Sequence, residues 1–424
     1  MKRDLLKLFW SLVIIAALVM GFNMLSGTSN NKVLASNENS NSNNAKEVED
    51  EVEDENNSIE SNEAEINDDN IIEILSLGNI IIHDKQLEGA KIENGYDFSP
   101  SFKYIKNMIS DADISLGILE TAFSGGTPKG YPIFNTPDVF LDNIKECGVD
   151  IVNYANNHIL DGQADGFFRT LQVTKEKNID MLGVVENRDE KNYLIKEVKG
   201  TKIGFISYGF ETEKKNGKRA INAIKIPESV TGLINTFNYN ELDKFYENIQ
   251  TQINSMKEDG AKFIITSMHW GEEYETTQNQ TQINIANKPN ELGVDIILGG
   301  HPHVIQPYEV IKNDTGHETL VIYSQGNTLS NQCEEEIGII ESEDGILVDL
   351  KLQVIDGEVS LKEYTIIPTW VNRAENEFGK FEHTIIPVED AINNEDKYNI
   401  SQDIYLKLKS SLQRTNNIIN PQSN

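Results

Sequence analysis

The 424-residue sequence predicts an α/β domain, and two observations carry that expectation. Beyond about residue 70, apolar β-rich runs alternate with helical stretches. Several of those runs also end alike, in a short polar cluster of imidazole, carboxylate or carboxamide. IEILSLGNIII leads to His83, and DISLGILE delivers Glu120. DIVNYANNH delivers Asn156, Asn157 and His158; KFIITSMHWG delivers His269; VDIILGGHPH delivers His301 and His303. Ligands of open α/β sheets bind outside the carboxyl ends of the strands, so groups far apart in the chain can converge there. Imidazole, carboxylate and amide oxygen together suit a transition metal, not a magnesium or calcium cage of oxygens alone.

In chain order, Lys2, Arg3 and Lys7 precede an apolar run over 8–20 that continues to Leu25. Positive charge before an apolar stretch directs a segment into the membrane with its N-terminus inside. At roughly 20 residues the stretch approaches bilayer-spanning length, so residues 1–26 are expected to be an uncleaved anchor. Val33-Leu34-Ala35 before Ser36 is the competing signal, a cleavage site that would make the chain secreted. Residues 27–70, including EVEDEVEDENN, are too polar to bury a core and are expected to be a disordered acidic linker. The globular domain is expected over 71–372, with a C-terminal extension over 373–424. The net charge of −31 and the lack of a basic footprint argue against nucleic acid. Cys147 and Cys333 have no repeated spacing around them and are expected to be unpaired.

Within the domain, strands are expected near 71–82, 113–119, 149–154, 180–184, 193–198, 202–208, 262–268, 294–299 and 319–324. Helices are expected near 99–110, 137–147, 163–177, 240–258 and 279–292. The second helix is signed by Thr136 as N-cap, Pro137 at its first position and Gly148 as its stop. Residues 213–237 lack periodicity and read as a lid or an insertion. Residues 345–368 read as further β structure and 400–414 as a closing helix.

The clusters carry distinct chemistry. In HPH, Pro302 fixes the backbone between two imidazoles, and Gly299 and Gly300 are expected to allow a sharp turn. In ANNHILDG, Asn156 or Asn157 can supply a carbonyl oxygen to a metal, and His158 can act as acid or base. Asp161 is placed either to orient His158 or to cap the helix from 163. Glu120 is the one carboxylate at the end of its strand and the candidate to bridge cations. Trp270 reads as wall or core, and Glu272 with Glu273 as a solvated pair. Asn327, in YSQGN, is a candidate substrate contact or a satisfier of turn backbone groups.

These motifs, with GYPIFNTP and PTWVNR, resemble the capsule-synthesis CapA/PgsA family over about residues 74–330 and on to 368–373. The resemblance implies a four-layer αββα sandwich of metallophosphatase type with a site for one or two divalent ions of manganese, zinc or iron. It implies metal contacts from Asn79, Glu120, Asn156, His269, His301 and His303, catalytic roles for His158 and Asp161, and substrate contacts from His83, Asn135, Asn157 and Asn327. Asn79 departs from the family, which has aspartate after that glycine. A neutral amide cannot bridge two cations as a carboxylate can.

The expected function follows from the resemblance. It is an extracytoplasmic, single-pass membrane protein in the synthesis or export of an anionic capsule polymer, poly-γ-glutamate in that family. Its partners would be membrane-embedded synthase or export subunits. The competing readings are a secreted metal-dependent phosphoesterase acting on phosphoesters and a non-catalytic scaffold of a polymer-assembly complex.

Overall fold

The computed structural model describes residues 70–420 except Asn216 and Glu377. The anchor expected over 1–26, the cleavage signal at 33–36 and the linker up to 69 lie outside the described residues. Among the described residues, no helix is long and apolar enough to cross a membrane.

Strand Ile71–Ile80 is buried at every position but Glu73 because both of its faces are covered. Ile72 and Ile74 enter a core shared with a second sheet. Leu75, Leu77 and Ile80 face a core roofed by helices. The strand pairs in parallel with Ile114–Leu119, which pairs in the same sense with Ile151–Asn153, and that with Asp180–Leu182. On its other side it runs antiparallel to Asp344–Ile355, followed by Glu358–Glu375 and the edge strand Phe381–Pro387. Asn327–Leu329 joins this eight-stranded sheet beside Asn79. The second sheet has seven strands, with Thr201–Phe210, Phe263–His269, Ile296–Gly300 and Glu318–Ile322 parallel at its centre.

Three cores define the layers. Ile109, Phe140, Leu141 and Ile144 pack helices against the outer face of the first sheet. Ile203, Phe205, Phe263, Ile265 and Ile296 meet Ile72, Leu116 and Ile151 between the two sheets. Phe245, Ile249 and Ile253 of Leu242–Glu258, with Ile285 of Gln280–Glu291, cover the second sheet. The order is helix, sheet, sheet, helix, a mixed α/β fold.

Some elements differ from expectation. The helix expected over 99–110 is a 3-10 turn, Ser99–Phe102, followed by a short α-helix, Lys106–Asp111. Thr136 does not cap the next helix, which begins at Val139 after Asp138. Its hydroxyl instead pairs with that of Thr121 at 2.7 Å. Part of the 213–237 stretch is a small antiparallel sheet, Thr212–Lys215, Lys218–Ile221 and Ile224–Lys225. Cys147 and Cys333 are both free and buried.

The domain boundary expected at 372 falls inside strand Glu358–Glu375. The residues beyond it supply the edge strand and helix Gln402–Ile419, which is capped by the Ser401 hydroxyl. That helix is fastened to the sheet through Asp344, which is 1% exposed. Arg414 donates to both carboxylate oxygens at 2.7 and 2.9 Å, and Ser411 adds a bond at 2.6 Å. Removing one partner of a buried pair strands a charge, so Arg414→Ala should cost about 3 kcal/mol of unfolding free energy in denaturant titration. Lys397→Ala, which breaks the exposed pair with Asp390, should leave the midpoint nearly unchanged.

Candidate metal centre

The carboxyl ends of the parallel strands of both sheets meet at one place. Glu120 follows Ile114–Leu119 of the first sheet, and His269 ends Phe263–His269 of the second. Neither is exposed to solvent. Glu120 Oε1 lies 3.0 Å from His269 Nε2, and Oε2 lies 3.6 Å from His303 Nδ1. Neither oxygen accepts a hydrogen bond, and the Nδ1 atoms of His269 and His301 are equally unpartnered. Glu120, His269 and His301 each offer one ligand atom within 4.8 Å of the others. Burying unsatisfied polar atoms is expensive, and a carboxylate more so, unless a cation completes the set. The donors present fit a transition ion.

Electrostatics agree with that fit. Burial holds His269 and His301 below the ordinary histidine value, His301 well below, with neighbouring imidazoles adding to the effect at both. Neutral imidazole is the form that ligates metal. Burial opposes ionisation of Glu120, but His303 and His269 outweigh it and hold the group as a carboxylate.

The turn that carries His301 and His303 is built differently from the expectation. Gly299 and Gly300 are strand residues, not the turn itself. They are needed for close approach: a Cβ on Gly299 would stand 2.0 Å from the Tyr323 carbonyl oxygen, and one on Gly300 2.6 Å from Asn79 Oδ1. The histidines themselves turn the chain, at φ 96° for His301 and 58° for His303. Such conformations cost of order 1–3 kcal/mol each and persist only where surrounding contacts hold them.

Asn327 is one such contact. Its amide nitrogen donates to the His303 carbonyl, Gln332 Oε1 and the Ser342 carbonyl at 3.1, 3.0 and 2.9 Å. Three acceptors fix the amide, so its oxygen faces His303 Nδ1 at 3.0 Å and assigns the proton to that nitrogen. Nε2 of His303 is then left as the lone pair for a ligand. The amide expected to touch substrate is committed to the fold.

Asn79, buried between the sheets, accepts from the His301 N–H at 3.3 Å and places its own amide nitrogen 3.3 Å from His303 Nδ1. Two N–H groups therefore face one side chain with a single acceptor oxygen. A carboxylate would present an acceptor, not a second donor, to His303 Nδ1–H.

Asn156, expected to touch the metal, makes no hydrogen bond to this cluster among the described residues. Its oxygen accepts from the His158 N–H at 2.9 Å, and its nitrogen donates to the Leu119 and Tyr154 carbonyls. Asn157 does reach it, with Oδ1 2.7 Å from His269 Nε2. Asn135 is likewise spent within its own loop, donating to the carbonyls of Gly125 and Thr127 and accepting from the Ser124 N–H.

Asp161 orients His158 instead of capping the next helix. Its Oδ2 lies 2.9 Å from His158 Nδ1 and accepts the Phe134 N–H at 2.7 Å, while the helix cap is Gly162. The Phe134 ring stands edge-on between His158 and His83, with centroids at 4.6 and 5.2 Å. His83 caps helix Asp84–Gly89 through Gln86 and receives the Asn331 N–H. Burial lowers its pKa to about 4, so it is neutral here.

Phe210 went unnoticed in the sequence, yet its ring packs 4.7 Å from His301 and 6.3 Å from His269. It ends strand Thr201–Phe210, so the strand-end rule that found the histidines would have found it too. Trp270 is core, donating to the Tyr323 carbonyl, and Glu272 and Glu273 are exposed. A second acidic cluster, Cys333, Glu335 and Glu343, already carries its cation, since Arg373 contacts both Cys333 and Glu335.

The family model described as "Bacterial capsule synthesis protein PGA_cap" matches residues 73–332, which include every residue placed at this centre. The chain belongs to that family. It is 24% identical over 277 residues to the "Capsule biosynthesis protein CapA" of Bacillus anthracis, covering 62% of this chain and 60% of that one. It is 27% identical over 210 residues to the "PGA biosynthesis protein CapA" of Bacillus subtilis (strain 168), covering 50% of this chain and 49% of that one. The chain thus spans about half to three fifths of the length of these curated relatives. Among solved structures it is similar to the calcineurin-like phosphoesterase YfkN of Bacillus subtilis, at TM-score 0.38 and 16% identity over 81% of this chain and 97% of that one. It is also similar to the sulfate thiohydrolase SoxB of Thermus thermophilus, at TM-score 0.36 and 13% identity over 71% and 42%. Neither likeness assigns a role to any residue of this chain.

The His158–Asp161 contact makes a testable difference. Burial opposes the charge on His158, but the bond and charge of Asp161 outweigh it and raise the pKa above 6.5. A raised histidine contributes stability that is complete below the unfolded value and lost as pH rises through the folded one. Asp161→Asn should lower the His158 pKa in an NMR titration and flatten the loss of stability above pH 6.5.

Proposed function

We propose that this chain is a membrane-anchored, extracytoplasmic protein that takes part in making or exporting an anionic capsule polymer, with a divalent-metal site of metallophosphatase type. The family membership supports the biological role, and poly-γ-glutamate is the polymer proposed from it. Membrane-embedded synthase or export subunits are the proposed partners. The observation that carries the chemical part is the fully buried set of Glu120, His269 and His301, whose acceptor atoms have no protein partner.

Glu120, His269 and His301 would hold a manganese, zinc or iron ion, with Nε2 of His303 and the carbonyl of Asn157 alongside. Bound there, the ion would supply a Lewis acid for a phosphoryl or carboxyl oxygen, or an activated water. The chain's own residues do the rest. Asp161 keeps His158 in the orientation and protonation state to give a proton to a leaving oxygen or to pair with an anionic group. Phe210 and Phe134 line the two sides with apolar surface, which keeps water out and strengthens every charge interaction.

Elemental analysis of the full chain purified without chelator should find bound transition metal. His301→Ala together with His303→Ala should remove it, along with the rise in melting temperature that added metal produces. Metal content and stability that ignore both substitutions would show the site to be elsewhere. Asn79→Asp should raise the metal stoichiometry and any phosphoesterase rate, because it replaces the NH2 group that faces His303 Nδ1–H with an acceptor and adds a charge. Fast turnover by the wild type, equal to that of Asn79→Asp, would move the protein to the secreted-phosphoesterase reading.

A further inference from the structure

One residue past Phe210, at the end of the same strand, the buried carboxylate of Glu211 lines a separate cavity of about 360 Å³. Phe237, a wall of that cavity, packs on Tyr239, and Tyr239 packs on Phe210, so the cavity and the metal centre share an aromatic partition. Its charged lining is balanced: Arg188, Arg219 and Lys244 stand against Glu190, Glu211 and Glu241. The charges are also occupied. Arg219 and the Thr236 hydroxyl both bond Glu211 Oε1, and Lys244 pairs with Glu241. Arg188 donates to the Thr231 and Glu228 carbonyls, and Glu190 accepts from Asn187. On a chain of net charge −31, this is a neutral polar hollow.

What remains available is carboxamide. Four asparagines of the lining are each held at one end and unpartnered at the other. Asn192 donates to the Leu233 carbonyl, and its buried oxygen has no partner. Asn235 donates to the Asn192 carbonyl, and no protein donor reaches its side-chain oxygen among the described residues. Asn238 and Asn248 are the reverse: their oxygens accept from the Asn240 N–H and the Tyr208 hydroxyl, and their NH2 groups have no protein acceptor among the described residues. Gln252, half-buried in the same wall, makes no side-chain bond to the described protein.

We propose that this cavity binds a neutral polyhydroxylated ligand, a monosaccharide or the single sugar unit of a glycan. Fixed amides that offer two acceptors and two donors suit hydroxyl groups, each of which donates and accepts. An anion or a cation would find the opposite charges it needs already occupied. The site stands apart from the metal ligands and does not depend on the metal reading.

Saturation-transfer NMR on the full chain, with glucose and N-acetylglucosamine as sugar probes and glutamate as the charged control, tests this. Saturation should reach the sugar ring protons and not glutamate. Asn248→Ala and Gln252→Ala, both at the accessible side of the cavity, should each weaken binding about fivefold, the worth of one neutral hydrogen bond. Gln252→Ala, which breaks no bond to the described protein, should leave the unfolding midpoint at the wild-type value, while Asn248→Ala also removes the acceptor of the buried Tyr208 hydroxyl and should lower it. The His301→Ala, His303→Ala double variant should bind the sugars as the wild type does. The proposal is overturned by no transfer to either sugar at millimolar concentration, by transfer indifferent to both cavity substitutions, or by glutamate binding as well as the sugars.

Discussion

The rest of the structure depends on the isolation of Glu120. A carboxylate with no hydrogen bond, buried where two sheets meet, cannot be stabilised by packing. Only positive charge or strongly polar neighbours can hold it, and these have to come from different strands. Imidazoles from the second sheet must therefore reach across the inter-sheet core, which fixes how far the two sheets can slide past each other. Asn153 and Ser267, bonded side chain to side chain at 2.9 Å, tie the sheets one strand further along. The fold and the site are the same constraint seen at two scales.

Close approach is the second requirement, and glycine meets it. Gly299 lets its strand lie against the Tyr323 backbone beside it, and Gly300 lets it press on the Ile118 and Asn79 side chains of the other sheet, so the sharp bend passes to the next residues. His301 and His303 then adopt conformations that histidine tolerates poorly, and the bonds from Asn79 and Asn327 keep them there. Backbone strain held by such bonds fixes the direction of both rings.

Much of this was legible in the sequence. Apolar runs ending in polar residues identified the strands and the ends that converge, because strand burial and strand-end chemistry are both local patterns. Which of two adjacent amides faces the centre was not legible. Asn156 and Asn157 differ only in which hydrogen bonds the turn demands, and that is decided by the Leu119 carbonyl on a neighbouring strand. Asn135 was a site residue only by the family resemblance, and its partners are the backbone of its own loop. The edge strand Phe381–Pro387 was missed because its apolar run is only Ile385 and Ile386 and its register is set by Glu358–Glu375, not by its own pattern. Phe210 was missed because attention went to polar groups, although an aromatic wall obeys the same placement rule.

The pairing of Ile71 with Gln353 sets the order in which the molecule can assemble. The first strand of the domain finds its antiparallel neighbour only after almost all of the chain has been made, and the Arg414 latch on that neighbour comes later still. Contacts so distant in sequence form slowly, since a long loop must close before any of them is rewarded. A chain emerging from its N-terminal end therefore holds an open, apolar strand edge until Asp344–Ile355 arrives. Such an edge invites pairing with other chains, and a partner that shields it during synthesis would act on folding yield while leaving the finished protein's stability unchanged.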